Sequence, residues 1–177
     1  MGTGMKIFKK MGWIALAALG ISLLGSQVRA NGQAAQDTVL TVADATKLLP
    51  PAVYFKGQSA TTQLRNSGGV KFADGFYVLA VMVDTSGYSS DIQQKYQAYL
   101  IAEAPLKIEG HALPAGIYGV GFVADNKFVV LDVGAHDLFS VSSHKDEALK
   151  RPMPLKVTAD NGAFRLYAGR SYVSFAR

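Results

Sequence analysis

Beyond residue 50 the chain alternates short apolar or β-branched runs with turn-forming residues, which is typical of strands joined by tight turns. The first runs are Val53 to Lys56, Thr61 to Arg65, Val70 to Phe72 and Phe76 to Val83, with turns predicted at Gly57, Asn66 to Gly69 and Asp74-Gly75. The pattern predicts a single all-β domain over residues 41–177. We expect a sandwich or partly open barrel of about eight to ten mostly antiparallel strands, preceded by a short helix over residues 41–49.

Two of these segments differ from simple alternation. Phe76 to Val83 is apolar throughout, which predicts a central strand that is covered on both faces. The stretch from Ser90 to Ala104 fits helical spacing and also alternates from Tyr96 onward. We expect a helical turn near Asp91 followed by a strand through Glu103, because Pro105 leaves little room for a helix to return.

A first hairpin is predicted around Asp125-Asn126, treated as a two-residue type I′ turn. This register pairs Phe122 with Val129 and leaves Gly119 and Gly121 on one face. Glycine in a strand often permits close approach of a ligand or of another backbone, so the two glycines are candidate ligand-binding residues. The alternative is a bend or bulge needed for closure of the sheet.

A second hairpin is predicted at the C-terminus, with Gly169-Arg170 as a type II′ turn. Its register places core residues on one side. The other side gathers Arg165, Tyr167, Tyr172 and Ser174, which are candidate ligand-binding residues. An arginine beside paired tyrosine rings can stack on a planar or sugar ligand. The same arrangement also serves as ordinary cross-strand stabilisation of an exposed sheet.

The amino terminus has the three-part layout of a secretory signal peptide. Lys6, Lys9 and Lys10 precede the apolar run Trp13 to Leu24, and Val28-Arg29-Ala30 predicts cleavage after Ala30. We expect residues 1–30 to be this signal, residues 31–40 to form a flexible leader, and the product to be periplasmic or extracellular in a bacterium. The apolar run is too short for a spanning helix, so we expect no transmembrane domain after cleavage, although retention as an anchor is the alternative.

Without the predicted signal peptide, the net charge of the chain is close to zero. The formal charge of +5 includes four basic residues of the first 30, and the remainder has 14 basic and 13 acidic residues. A nearly neutral exported domain without a recognition motif disfavours nucleic acid as a partner. The basic residues that remain are concentrated in residues 150–177, at +5, against −4 over residues 31–149. This asymmetry indicates an anionic or glycan ligand, or an envelope protein.

Candidate chemistry is sparse. The chain has no Cys, which excludes disulfides and Cys-based metal sites, and we expect no cofactor and no bound metal. Asp132, His136 and Asp137 form the one local cluster of histidine and carboxylates, where a general acid or base or a weak metal site could be built. A turn histidine beside aspartates is also commonly a solvated surface feature.

The segment Leu113-Pro114-Ala115-Gly116-Ile117-Tyr118 resembles a turn-strand segment of small secreted bacterial domains of unknown function. The resemblance implies export and a β fold, and it transfers no site residue. The leading hypothesis is a non-catalytic ligand-binding or envelope interaction module. The alternatives are a structural subunit that assembles through β-edges, and a hydrolase or metal-dependent enzyme centred on Asp132, His136 and Asp137.

Overall fold

The computed structural model describes residues 1–2 and 36–177, so the predicted signal peptide and most of the predicted leader lie outside the described residues. Two short helices and fourteen strands, several of them two to four residues long, are present in the described part. In chain order they are β1 (Thr38–Val39), α1 (Val42–Leu48), β2 (Ala52–Phe55), β3 (Gln58–Lys71), β4 (Tyr77–Val83), α2 (Ser90–Lys95), β5 (Ala98–Ala102), β6 (Leu106–Ile108), β7 (His111–Leu113), β8 (Gly116–Val123), β9 (Lys127–Leu131), β10 (Asp137–Ser142), β11 (His144–Lys145), β12 (Met153–Asp160), β13 (Ala163–Gly169) and β14 (Ser171–Ala176).

The strands form two antiparallel sheets that pack face to face, which confirms the predicted all-β fold as a sandwich. The eight-stranded sheet has the order β1-β3-β4-β5-β8-β9-β10, with β2 also paired to β3. The six-stranded sheet has the order β12-β13-β14-β6-β7, with β11 also paired to β14. Neither sheet closes on itself, since β10 and β12 end their sheets without a further strand partner among the described residues.

The main core lies between the two sheets. Alternate residues of β4 contribute to it, and the residues between them face the other way: Val78 and Ala80 join the core between the sheets, whereas Leu79 and Val81 join a second cluster. The central-strand prediction for Phe76 to Val83 is thus confirmed. On its outer side the second cluster is covered by α1, β2 and α2, which we call the covering layer.

Helix α1 confirms the helix predicted over residues 41–49. Thr41 is its N-cap, and its hydroxyl accepts a hydrogen bond from the backbone N–H of Asp44 at 3.2 Å. Helix α2 followed by β5 confirms the interpretation of Ser90 to Glu103. Thr38 and Val39, which we expected in the leader, pair with Lys71 and Val70, so the sheet extends into that segment.

The turn predicted at Asn66 to Gly69 is wrong. These residues lie inside β3, a single fourteen-residue strand. The register of β3 against β4 shifts between Gln63 and Ser67, so an irregularity in the strand replaces the turn. A Cβ on Gly68 would meet Val157 of the other sheet at 3.2 Å, and the small residues permit β12 to lie close to β3 here.

The register of the first hairpin is wrong by one residue. Phe122 pairs with Phe128 rather than Val129, and Ala124, Asp125 and Asn126 form a three-residue connection. Asp125 and Asn126 both adopt positive φ, at 60° and 52°, as the predicted type I′ turn requires. The connection nevertheless includes Ala124, because Lys127 pairs with Val123 and not with Ala124. The slip keeps Val120 and Phe122 on the core side and places Gly119 opposite Leu131.

Candidate functional site

The space between the two sheets is filled. The two enclosed spaces along the core have volumes of about 10 Å³ each and are lined almost wholly by apolar side chains. A space of this size holds at most about one water molecule. Neither of these two spaces can hold a ligand, and larger spaces among the described residues open at the surface.

The outer face of the six-stranded sheet carries the C-terminal candidates. The structure confirms the predicted hairpin, with Tyr167 opposite Tyr172 and Arg165 opposite Ser174. Gly169 has a φ of 63°, which suits the first central position of a type II′ turn. All four candidate side chains thus lie on one face, which we call the Tyr-Arg face. It also includes His144 of β11, which pairs with Tyr172.

Three rings stand in a row across the Tyr-Arg face. The centroids of Tyr167 and Tyr172 are 5.1 Å apart with an interplanar angle of 36°, and those of Tyr172 and His144 are 5.2 Å apart at 32°. Tyr167 is buried in this row, whereas Tyr172 is half-buried. The row therefore leaves part of the Tyr172 side chain and the imidazole of His144 exposed to solvent.

The guanidinium of Arg165 lies over the ring of Tyr172, with its Cζ 4.5 Å from the centroid. Its Nη2 contacts Oδ2 of Asp160 at 2.7 Å, and its Nη1 donates a long hydrogen bond of 3.4 Å to the hydroxyl of Tyr167. The Tyr167 hydroxyl raises the pKa of Arg165 further above its ordinary value. The guanidinium is consequently held in place, charged, and already partnered by one carboxylate.

Carboxylates surround the row on two further sides. The hydroxyl of Tyr167 donates to Oδ2 of Asp146 at 3.2 Å. Nε2 of His144 lies 3.2 Å from Oε2 of Glu109, whose other oxygen accepts a hydrogen bond from the backbone N–H of Ser174. Hydrogen-bond donors and carboxylate acceptors therefore lie together beside the aromatic row, an arrangement that suits a ligand with many hydroxyl groups, since each hydroxyl both donates and accepts.

Three of the six basic residues in residues 150–177 are engaged by the protein itself. Besides Arg165, Arg177 forms an ion pair with Asp74 and lies over Phe72. Arg170 donates to the backbone carbonyls of Asp146 and Glu147. The net charge of +5 over residues 150–177 thus overstates the field available to an anion.

Gly119 and Gly121 do not form an open strip. Both are buried beneath the covering layer. A Cβ on Gly119 would lie 2.5 Å from Cζ of Phe55, and one on Gly121 would lie 2.1 Å from the carbonyl oxygen of Lys95. The prediction of a ligand strip is corrected here, because the protein's own groups occupy that space and the glycines permit close packing.

The cluster of Asp132, His136 and Asp137 is divided by the fold. Oδ1 of Asp132 accepts hydrogen bonds from the backbone N–H groups of Gly134 and His136, and its Oδ2 lies 2.9 Å from Nδ1 of His136. These contacts lower the pKa of Asp132, the backbone bond from His136 first. Asp137 instead forms an ion pair with Lys95 at 2.7 Å. The arrangement is that of a side chain that holds its own turn together.

Four residues of the Tyr-Arg face were not predicted from the sequence as site residues: His144, Asp160, Asp146 and Glu109. Asp160 could have been found, because Asn161-Gly162 is a strong signal for a two-residue hairpin and would have placed it next to β13. Both residues have positive φ, at 45° and 83°. His144 and Glu109 reach the site through pairing of β11 and β6 with β14, over separations that no local signal in the sequence encodes.

Comparison with protein-family models, curated proteins and solved structures found no match to this chain. In the part of the chain that the structure describes, neither helix has the length and apolar character needed to cross a bilayer. The chemistry of the surface site is therefore the basis for any assignment of function.

Proposed function

We propose that this protein is an exported, non-catalytic interaction module that binds a hydroxyl-rich ligand, a glycan of the cell envelope or exterior, through the Tyr-Arg face. The observation that carries the proposal is the fixed Arg165–Tyr172 stack, ringed by the carboxylates of Asp160, Asp146 and Glu109. The filled interior supports a surface site rather than an enclosed one.

A neutral or weakly charged glycan fits this face better than a simple anion. Arg165 is partnered by Asp160 at 2.7 Å, so an added anion would compete with an existing carboxylate. A sugar ring can instead contact the exposed part of Tyr172 through its C–H groups while its hydroxyls bond to the nearby guanidinium and carboxylates. Domains that bind sugars favour Trp for this contact, and the one Trp of the chain, Trp13, lies in the predicted signal peptide.

The predicted signal peptide supports the same setting. Lys6 to Lys10, the apolar run and the Val28-Arg29-Ala30 site indicate export, which would bring the domain to the periplasm or the exterior, where envelope glycans are displayed. The absence of Cys from the sequence is compatible with either compartment.

The experiment is a glycan array screen followed by NMR titration of the best soluble oligosaccharide into wild type, Tyr172→Ala and Arg165→Ala. We expect each substitution to weaken binding by about tenfold or more, the loss of about 1.4 kcal/mol of contact energy. Tyr54→Ala is the matched control, since Tyr54 is 66% exposed and lies on β2, away from the Tyr-Arg face.

Three results would contradict the proposal. The first is the absence of binding to any glycan of the array, and the second is equal weakening by Tyr54→Ala and Tyr172→Ala. The third is a wild-type affinity that falls steeply as salt is raised, because a polyanion would then be the ligand.

A further inference from the structure

We infer that two copies of this chain pair through β10, antiparallel and about a two-fold axis at Ser140, which joins their eight-stranded sheets into one continuous sheet. This inference is independent of the Tyr-Arg face, which lies on the other sheet. It starts from the edges of the two sheets, because an unpaired edge strand presents a row of backbone donors and acceptors to a partner.

The edge strands differ in how well they are protected. β12 carries Pro154 and Lys156 and lies close to β3 at Gly68, and β1 and β7 are two and three residues long. Proline, lysine, a β-bulge and short length are the usual protections of an exposed edge. β10 has six residues and one irregularity, a register shift against β9 between Asp137 and Phe139 at its start. Beyond that shift, residues 139–143, Phe-Ser-Val-Ser-Ser, pair regularly and contain no charge, no proline and no glycine.

The outward backbone groups of β10 can be assigned from its pairing. The N–H of Ser143 donates to the carbonyl of Asn126, in register with the β9 pairs that follow. Hydrogen-bonding direction alternates along an antiparallel strand, so Phe139 and Val141 also bond toward β9. The N–H and C=O groups of Ser140 and Ser142 therefore point away from the sheet, and β9 is the one strand paired with β10 among residues 36–177.

The strand is self-complementary about Ser140. In this register Ser140 faces its own copy, and Phe139 faces Val141. Phe139 and Val141 are both half-buried and pack against the edge of the core between the sheets, so pairing would cover each with the other's copy. Asp137 and Leu138 lie at the register shift and are left out of this pairing, and residues 139–143 carry no charge that could meet its own copy.

Pairing registers that are shifted by two residues form fewer apolar contacts. A shift of the axis to Val141 would place Phe139 opposite Ser143, and a shift to Phe139 would bring the irregular start of the strand opposite Ser140 and Val141. Each alternative keeps one apolar pair, of Val141 or of Phe139 with its own copy, whereas the register about Ser140 makes the Phe139–Val141 pair twice. An isologous pair of this kind closes on itself as a dimer and does not extend into a fibre.

The test is sedimentation equilibrium of the purified exported protein, wild type against Ser140→Pro and Ser140→Ala. Pairing through one short strand is expected to be weak, so the measurement covers protein concentrations up to about 1 mM. Proline at position 140 removes an outward N–H and leaves the β9 hydrogen bonds in place, so we expect at least about tenfold weaker dimerisation with an unchanged circular dichroism spectrum. Ser140→Ala retains the N–H and is expected to dimerise as the wild type does.

A charge pair tests the two-fold register directly. Ser140→Lys and Ser140→Glu each place like charges opposite one another across the axis, so each variant alone is expected to be monomeric. An equimolar mixture brings opposite charges together and is expected to restore the dimer. A wild type that stays monomeric up to about 1 mM would overturn the inference. So would a Ser140→Pro variant that dimerises as well as Ser140→Ala, or a mixture that stays monomeric.

Discussion

The outer faces of the two sheets both carry paired aromatic rings, but one face is buried and the other is exposed to solvent. On the eight-stranded sheet, Phe55 of the covering layer stacks on Tyr96 with centroids 3.8 Å apart and an angle of 19°, and both rings are fully buried. On the six-stranded sheet, Tyr167 and Tyr172 stand 5.1 Å apart at 36° beside charged groups, and Tyr172 remains half-buried. One face is part of a core, and the other is a surface.

The difference shows that the burial of an aromatic side chain on a strand depends on whether another layer covers that face of the sheet, and not on the strand sequence alone. Tyr96 follows α2 and is covered by β2, and its hydroxyl has no hydrogen-bond partner within residues 36–177. Burial raises the pKa of this hydroxyl, so it stays protonated. Tyr167 has its hydroxyl bonded to both Arg165 and Asp146. The covered face is held by packing, and the open face is held by polar contacts.

The largest effect should come from a side chain introduced beneath the covering layer. A Cβ on Gly121 would meet the backbone oxygen of Lys95 at 2.1 Å, and backbone yields less readily than a flexible side chain. We expect Gly121→Ala to lower the free energy of unfolding by about 3 kcal/mol, as overpacking of a close contact does. Urea unfolding followed by circular dichroism measures it.

Gly87→Ala is the matched control for this change. Gly87 has no neighbouring atom closer to an added Cβ than 4.0 Å, and we expect no loss of stability. If Gly121→Ala proved as stable as the control, the covering layer would not be closely packed on β8, and the contrast between the two faces would fail.

Removal of a tyrosine hydroxyl should change the free energy of unfolding in opposite directions on the two faces. Tyr96→Phe removes a buried hydroxyl without a partner, so the protein should become more stable by about 1 kcal/mol. Tyr167→Phe removes two hydrogen bonds from the open face, so stability should fall by about 1 kcal/mol. Thermal and urea unfolding of both variants measure the difference, and two changes of the same sign would contradict this comparison.

The smallest effect belongs to the ion pair of the open face. Arg165 and Asp160 have side chains about one-third exposed, at 30% and 32%. A double-mutant cycle with Arg165→Ala and Asp160→Ala should give a coupling energy of about 0.5 kcal/mol that declines as salt is raised. A coupling unchanged by molar salt would show that the pair is shielded from solvent and that the Tyr-Arg face is more closed than its geometry indicates.

The two hairpins show how far the sequence alone could be followed. At the C-terminus, Gly169 sets the turn type, and alternation then places Arg165, Tyr167, Tyr172 and Ser174 on one face, as the structure has them. In the first hairpin Asp125-Asn126 indicates a turn but does not fix where the pairing starts. A three-residue connection shifts every pair by one, and both strands are apolar enough that the polar pattern gives no correction.

Only the part of the candidate site that lies within one hairpin could be predicted from the sequence. Arg165 and the two tyrosines belong to one local hairpin, whereas Glu109 and His144 arrive from strands distant in sequence. The elements of the covering layer were predicted, but their packing on the outer face of β8 was not. Gly119 and Gly121 therefore looked open, although Phe55 and Lys95 lie against them. The turn placed at Asn66 to Gly69 failed because small polar residues serve equally well inside β3, where β12 approaches closely.

By itself the sequence determined the all-β class, the capped first helix, the central position of β4 and the face of the last hairpin, because turn geometry and side-chain alternation act over a few residues. The tertiary structure alone decided which sheet face is covered, where the first hairpin starts, and which carboxylates surround Arg165. Those outcomes depend on contacts between residues far apart in the chain, and their energy comes from surfaces that exist only once the two sheets and the covering layer have packed together.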